Sequence, residues 1–281
     1  MLRATLIEDD VKEVFRSVMD VPEVDVADVL IGLLDDETDK ACGILGAQSA
    51  PDGDDGLALT ICFVSVAETY ANQDGERVLL SYLLDLAEAI GCSAVFCTGR
   101  FLDEGGKEKE DLLSDLGFFA EEETFPLYSF TLSDITVKAI KSDLACVALS
   151  TLTDEQWQGF VEETEGGEFF IMDREMYDKD LSVFLVDDEK RVSAGVLLSR
   201  GGDVLFVDAL AAYGSDEEAL INDLILWGAD GAKKRLSPGM QVDIFMPKGN
   251  VYRDILMKVT GNKAKRIGNL MTFTYETPVF A

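Results

Sequence analysis

Glu68, Gln73, Gly75 and Arg77 fall in one short stretch, ETYANQDGERV, directly after the apolar run LALTICFVSV (Leu57 to Val66). An apolar run, a polar turn with glycine and then a helical pattern can hold a phosphate. The turn's backbone N–H groups and the helix N-terminus carry partial positive charge. Gly75 allows close backbone approach, and Gln73 and Arg77 are placed to meet phosphate oxygens. Glu68, just past the run, is a carboxylate able to act as general base. Against the cradle stand Asp74 and Glu76. A helix N-terminus favours an anion by ~0.3–1 kcal/mol. A carboxylate ~4 Å from a phosphate charge opposes it by roughly 4 kcal/mol at an effective dielectric of about 20. The turn serves a phosphate only if both acids point to water.

The chain contains no histidine. That removes Ser-His-Asp and Cys-His nucleophilic machinery and most zinc sites. Acid–base chemistry then falls to carboxylates, Tyr, Cys or Lys. Tyr70 and Tyr252 read either as general acids or as ordinary half-buried rings. The five cysteines have no C-x-x-C spacing and read as reduced thiols of a cytoplasmic protein. Cys97, inside a strand pattern, is expected in the core. Asp52-Gly53-Asp54-Asp55-Gly56 lacks calcium-loop spacing and reads as a solvated hairpin loop, so no metal is expected. The formal charge of −30, from 54 acidic and 24 basic residues, argues against nucleic acid and anionic membranes as partners. It suits an amine-bearing or cationic small molecule. MLRATLIEDD has no apolar h-region, and no stretch reaches the ~18 apolar residues of a membrane span.

These residues belong to a unit that the chain uses twice. LLDDETDKACGIL (Leu33 to Leu45) matches LVDDEKRVSAGVL (Leu185 to Leu197) at a constant offset of 152 residues. Asp35-Asp36-Glu37 falls on Asp187-Asp188-Glu189, and Gly43 on Gly195. Each string predicts two strands around an acidic turn. Leu57 to Val66 and Val204 to Leu210 predict buried central strands. A helix follows each, with apolar stripes at Leu79, Leu83, Leu86 and Ile90 and at Leu220, Leu224 and Trp227. A further strand comes next, then a short helix ending at Gly117 or Gly261, the residue type expected at C′. The starts also match, Leu2 to Val18 with Val147 to Glu163, the latter carrying Thr153-x-x-Gln156 as a capping box. Each half reads β-α-α-β-β-β-α-β-α-β-β, with the boundary near residues 132–144.

This order resembles the GNAT acyltransferase fold over nearly the whole chain, as two tandem copies. Phe63-Val64-Ser65-Val66 is similar to that family's central strand, Asn72 to Val78 to its phosphate turn, and Leu116-Gly117-Phe118 to its closing Gly-Phe. In the second copy Phe206-Val207-Asp208-Ala209 takes the strand's place, and Asn250 and Gly261 the Asn and Gly places. The resemblance implies a central strand splayed from its neighbour. It implies acetyl-CoA's pantetheine arm on the backbone at Val64 and Val66, and its pyrophosphate on the turn at Gln73, Gly75 and Arg77. In one register Asp74 and Glu76 stand in place of the family's glycines; slipped by one residue, Gly75 falls in register as Asn72-x-x-Gly75-x-Arg77, and neither register is the family pattern. Leu113 and Met257 occupy the positions of the family's tyrosine general acid. The second turn, Gly214-Ser215-Asp216-Glu217-Glu218, has three acids and no base. Those acids suit the N-terminus of an unliganded helix.

The expected architecture is α+β, a tandem of GNAT-like domains at 1–135 and 144–281. Each is a mixed, mostly antiparallel sheet flanked by helices, and the domains are expected to pack on each other. Two functions stay open. One is an acyl-CoA-dependent N-acyltransferase, transferring acetyl to an amine, with acetyl-CoA in the N-terminal domain and Glu68 as base. The other is a catalytically inactive tandem that serves as a binding or assembly module.

Overall fold

The structure is a computed structural model that describes residues 1–8, 10–19, 21–52, 56–71, 74–136, 143–164, 171, 173–213, 217–246 and 250–278. The first half runs β1 (Leu2–Leu6), α1 (Lys12–Phe15), a 3-10 turn (Pro22–Val26), β2 (Val29–Asp35), β3 (Lys40–Asp52) and β4 (Gly56–Val66). It continues through α2 (Glu68–Ala71), α3 (Gly75–Ile90), β5 (Ala94–Leu102), α4 (Gly106–Asp115) and β6 (Phe119–Thr131). The second half runs β7 (Ala145–Ala148), α5 (Asp154–Thr164), β8 (Val183–Val186), β9 (Val192–Gly201) and β10 (Val204–Ala212). It ends with α6 (Glu217–Arg235), β11 (Gln241–Phe245), α7 (Asn250–Val259) and β12 (Lys265–Glu276). The architecture is α+β with mixed sheets flanked by helices.

Two compact units form, Met1–Thr124 with Leu270–Ala281, and Phe125–Asn269. They do not follow the halves of the repeat. Residues 125–131 of β6 belong to the second unit, and residues 270–276 of β12 belong to the first. Each unit is thus completed by a strand from the other half of the sequence. Residues 137–142, within the expected boundary, lie outside the described residues.

In the first unit the strand order is β1-β2-β3-β4-β5-β12. β1 to β4 pair antiparallel, and β4 pairs β5 parallel. The apolar side of α3 covers β1, β2 and β4. Leu79 and Leu83 are fully buried there, each contributing about 1.5–3 kcal/mol. Ala87, not Ile90, continues the stripe: Ala87 is buried and Ile90 is 50% exposed. The helix ends one residue later at Gly91, in the left-handed region with φ 75°, and Cys92 N–H bonds back to Ala87 O at 2.9 Å. β12 contributes Phe273 to this core, its ring 4.9 Å from that of Phe101.

In the second unit the order is β6-β11-β10-β9-β8-β7. Leu127–Thr131 of β6 pair antiparallel with β11, and β10 pairs β11 parallel. Helix α5 starts at the expected capping box. Thr153 N–H donates to Gln156 Oε1 at 3.0 Å, and Gln156 N–H donates to Thr153 Oγ1 at 3.2 Å.

Three local expectations are corrected. The closing pair of strands is one strand in each half, β6 and β12. Within β6 only Pro126 interrupts the extended pattern, and its carbonyl still accepts from Met246 N–H at 2.9 Å. The first helix is one turn long, fixed by Phe15, whose ring lies where a Cβ on Gly32 would be. The second expected helix is the 3-10 turn Pro22–Val26. Among the described residues no helix is long and apolar enough to cross a membrane.

Candidate functional site

The parallel register of β4 with β5 covers three residue pairs, from Ala58↔Ala94 to Thr60↔Phe96. β4 from Ile61 to Val66 and β5 from Cys97 to Leu102 lie outside it, so the two strands part company. On its other edge β4 stays paired with β3 as far as Gly43↔Val66. Ala67 N–H extends that ladder, donating to Cys42 O at 2.8 Å. Backbone groups alternate sides along an antiparallel strand. With Ala67 and Ser65 turned toward β3, the N–H and C=O groups of Val64 and Val66 face the side where β5 has left. Their half-buried side chains pack on the core. This gives the splayed strand a row of backbone donors and acceptors outside the β5 register.

Beyond Val66 the chain forms the helical turn α2, with Glu68 exposed at its start. Asn72 and Gln73 lie outside the described residues. Asp74 follows in the left-handed region at φ 58°, exposed, and it makes no side-chain cap on α3. The first turn of this 16-residue helix is therefore uncapped, but half-buried Glu76 lies within it and offsets part of its partial positive charge. Gly75 is buried. A Cβ there would lie 2.8 Å from Val66 Cγ1 and 3.0 Å from Leu33 Cδ2. Close packing of α3 on the sheet therefore suffices to require glycine. Arg77 bonds the Asp115 carboxylate at 3.0 Å.

The strand end is tied to the acidic hairpin. Tyr70 hydroxyl donates to Asp35 Oδ2 at 3.0 Å, and Asp35 Oδ1 accepts from Glu37 N–H at 2.9 Å. These bonds, the Glu37 amide first, hold the Asp35 carboxyl below its ordinary range. The Asp35 hydrogen bond raises the Tyr70 hydroxyl above its own. Tyr70 is thereby a weaker acid and is occupied in bracing the turn. Cys97 is half-buried against the first core rather than within it, and burial pushes its thiol up to about 11, so little thiolate forms near neutrality. In the loop 52–56, residues 53–55 lie outside the described ones.

The second unit repeats the splay and closes the site differently. β10 pairs β11 over four residues, from Val204↔Gln241 to Val207↔Ile244. Each central strand carries a bulge, at Cys62 in β4 and at Asp208 in β10. The ladders set Val66 opposite Gly43 and Ala211 opposite Gly195, so Val66 corresponds to Ala211 and not to Ala209. On this register Tyr213 takes the place of Glu68. Tyr213 turns inward, its hydroxyl bonded to Thr164 Oγ1 and donating to Phe160 O, and burial pushes it to about 12. Residues 214–216 and the side chain of Asn250 lie outside the described ones. Glu217, in the first turn of α6, accepts from the Tyr252 hydroxyl at 3.2 Å. Leu113, where the family tyrosine would stand, is buried in the first core.

The structure thus brings Val64, Val66, Glu68, Gly75 and Arg77 to one end of β4. Sequence reasoning missed Asp115 and Asp35, whose partners lie 38 and 35 residues away along the chain. An acidic residue at the end of α4 carries no local signal of that pairing.

No family model matches the chain, and no curated protein matches it in sequence. Solved structures do match in shape. A tandem GNAT protein from the clavulanic acid biosynthesis pathway aligns at TM-score 0.70 and 11% identity, covering 100% of both chains. A GCN5-related N-acetyltransferase from Anabaena variabilis aligns at TM-score 0.60 and 9% identity, over 99% of this chain and 74% of the other. A glucosamine N-acetyltransferase region of a fungal multi-domain β-N-acetylglucosaminidase aligns at 0.59 and 11% identity. The chain spans 38% of that fungal protein and 98% of itself is covered. The fold is a tandem GNAT fold.

Proposed function

We propose that the chain is an acyl-CoA-dependent N-acyltransferase whose cofactor cleft is the splay between β4 and β5 in the first unit. The observation that carries this reading is the parallel register ending at Thr60↔Phe96, with the backbone of Val64 and Val66 turned toward the gap. The backbone there would hold the amide-bearing arm of acetyl-CoA. The uncapped first turn of α3 would receive its diphosphate, with Gln73 and Arg77 beside it. For that, Arg77 must exchange Asp115 for a phosphate oxygen. The pair is exposed and worth at most about 1 kcal/mol, so the exchange is accessible.

The cofactor supplies an acyl group activated as a thioester. Glu68, exposed at the mouth of the splay, would take the proton from the attacking amine. A net charge of −30 favours cationic acceptors. All five cysteines are free thiols, as suits a reducing cytoplasm.

A second reading, a non-catalytic binding or assembly module, is favoured by the Arg77–Asp115 salt bridge and the helical turn Glu68–Ala71. Calorimetric titration of acetyl-CoA at low salt, with Arg77→Glu alongside, separates the two. Micromolar binding at a stoichiometry near one, lost in Arg77→Glu, supports the enzyme. No heat at high protein concentration leaves the module.

A further inference from the structure

A cavity of about 50 Å³ lies in the core of the second unit, between α6 and the sheet. Phe130, Val196, Leu205, Leu224, Gly228 and Ala232 are among its walls, and every lining side chain is apolar. One water needs roughly 10–15 Å³ of such space together with two to four polar partners. There is room here and there are no partners, so water gains nothing by entering.

Packing does not force the void. Gly228 sits on the buried face of α6, well inside the helix. A Cβ there would stand 3.6 Å from Val196 Cγ1 and 4.0 Å from Val183 Cγ2, which is ordinary contact. Alanine would fit, favour the helix and fill part of the space. Glycine forgoes both gains and keeps the space open. The wall includes Val207 and Ile244, the pair at which the parallel register of β10 and β11 ends. Val207 and Ile225 are its half-buried members, which marks the side nearest to solvent.

We infer that this cavity is a binding site for a small apolar molecule, a short hydrocarbon group of a few carbons. Shape and apolar contact alone would select the ligand, because the walls offer no polar anchor.

Cyclopropane and xenon, both small enough for about 50 Å³, are the probes, on the full-length protein. Saturating cyclopropane should raise the unfolding temperature, and dissolved xenon should show saturable binding by NMR. In Ala232→Leu, whose side chain would occupy the space, both responses should vanish. If that variant does not fold, Gly228→Ala takes its place, with both responses reduced. No cyclopropane shift and no xenon binding in the unaltered protein would overturn the inference. Equal responses in the unaltered protein and a folded filling variant would do the same, because the probes would then sit elsewhere.

Discussion

The Arg77 guanidinium stands 3.0 Å from the Asp115 carboxylate, joining the first turn of α3 to the last residue of α4. Arg77 is the single basic residue between Glu68 and Val78, and this contact holds it against an acid. Asp115→Asn should release it. Acetyl-CoA should then bind up to about fivefold more tightly by calorimetry, the equivalent of about 1 kcal/mol. Thermal stability should hardly move. An unchanged affinity would mean that Arg77 does not meet the phosphates.

Two glycine-to-alanine substitutions should have opposite signs. Gly75→Ala places a methyl 2.8 Å from Val66 Cγ1 and should destabilise by about 1–3 kcal/mol. Gly228→Ala meets nothing closer than 3.6 Å and should stabilise by about 1 kcal/mol through helix propensity. Melting temperatures shift by about 2–4 °C per kcal/mol at this size, so calorimetry resolves both. Two shifts of the same sign would contradict the packing assigned to α3 and α6.

Phe273→Ala should weaken the first unit, although the residue belongs to the second half of the sequence. Phe273 is 2% exposed and stacks on Phe101, so its loss should remove about 3–5 kcal/mol. Hydrogen exchange should speed up in α3 and β5 before α6 and β10. Acceleration confined to α6 and β10 would place β12 in the wrong core. A fragment ending at residue 135 lacks β12 altogether and should not fold cooperatively until residues 144–281 are supplied.

Acid should find Asp134. The Lys263 ammonium, 2.8 Å away, and the Thr131 hydroxyl and amide hold its carboxyl at about 2. Its unfolded value is about 3.9. A carboxyl depressed in the folded state adds stability above the unfolded value and loses it as pH falls through the folded one. The melting temperature should therefore drop between about pH 4 and pH 2. Asp134→Asn should melt lower at neutral pH and show a flatter slope across that window. Parallel curves for the two proteins would exclude this contribution.

What could be read from the sequence was local. The capping box of Thr153 and Gln156 spans one helical turn, and Gly117 and Gly261 end their helices at φ 92° and 61°. The repeated acidic turns predict both hairpins, and the apolar runs predict both central strands. A splay of the central strand was implied by the family resemblance, and only the strand pairing places its start after Thr60. The destination of β6 and β12 was not legible, because an alternating strand carries the same pattern in either sheet. The one-turn α1 was equally hidden. The Phe15 ring that anchors it lies against Gly32, in a strand that comes later. At the candidate site the types of residue were visible, but the partners that hold Arg77 and Tyr70 were not.

The strand composition of the first unit also sets a schedule. A ribosome that has released β1 to β5 has delivered an open sheet, with Phe101 uncovered, and must translate the whole second unit before β12 emerges. At typical synthesis rates that interval is on the order of ten seconds. During it the nascent edge of β5 is available to any neighbouring chain with a free strand. High acidity in the early segments, from Asp35-Asp36-Glu37 to Glu121-Glu122-Glu123, makes neighbouring nascent chains repel one another over that time.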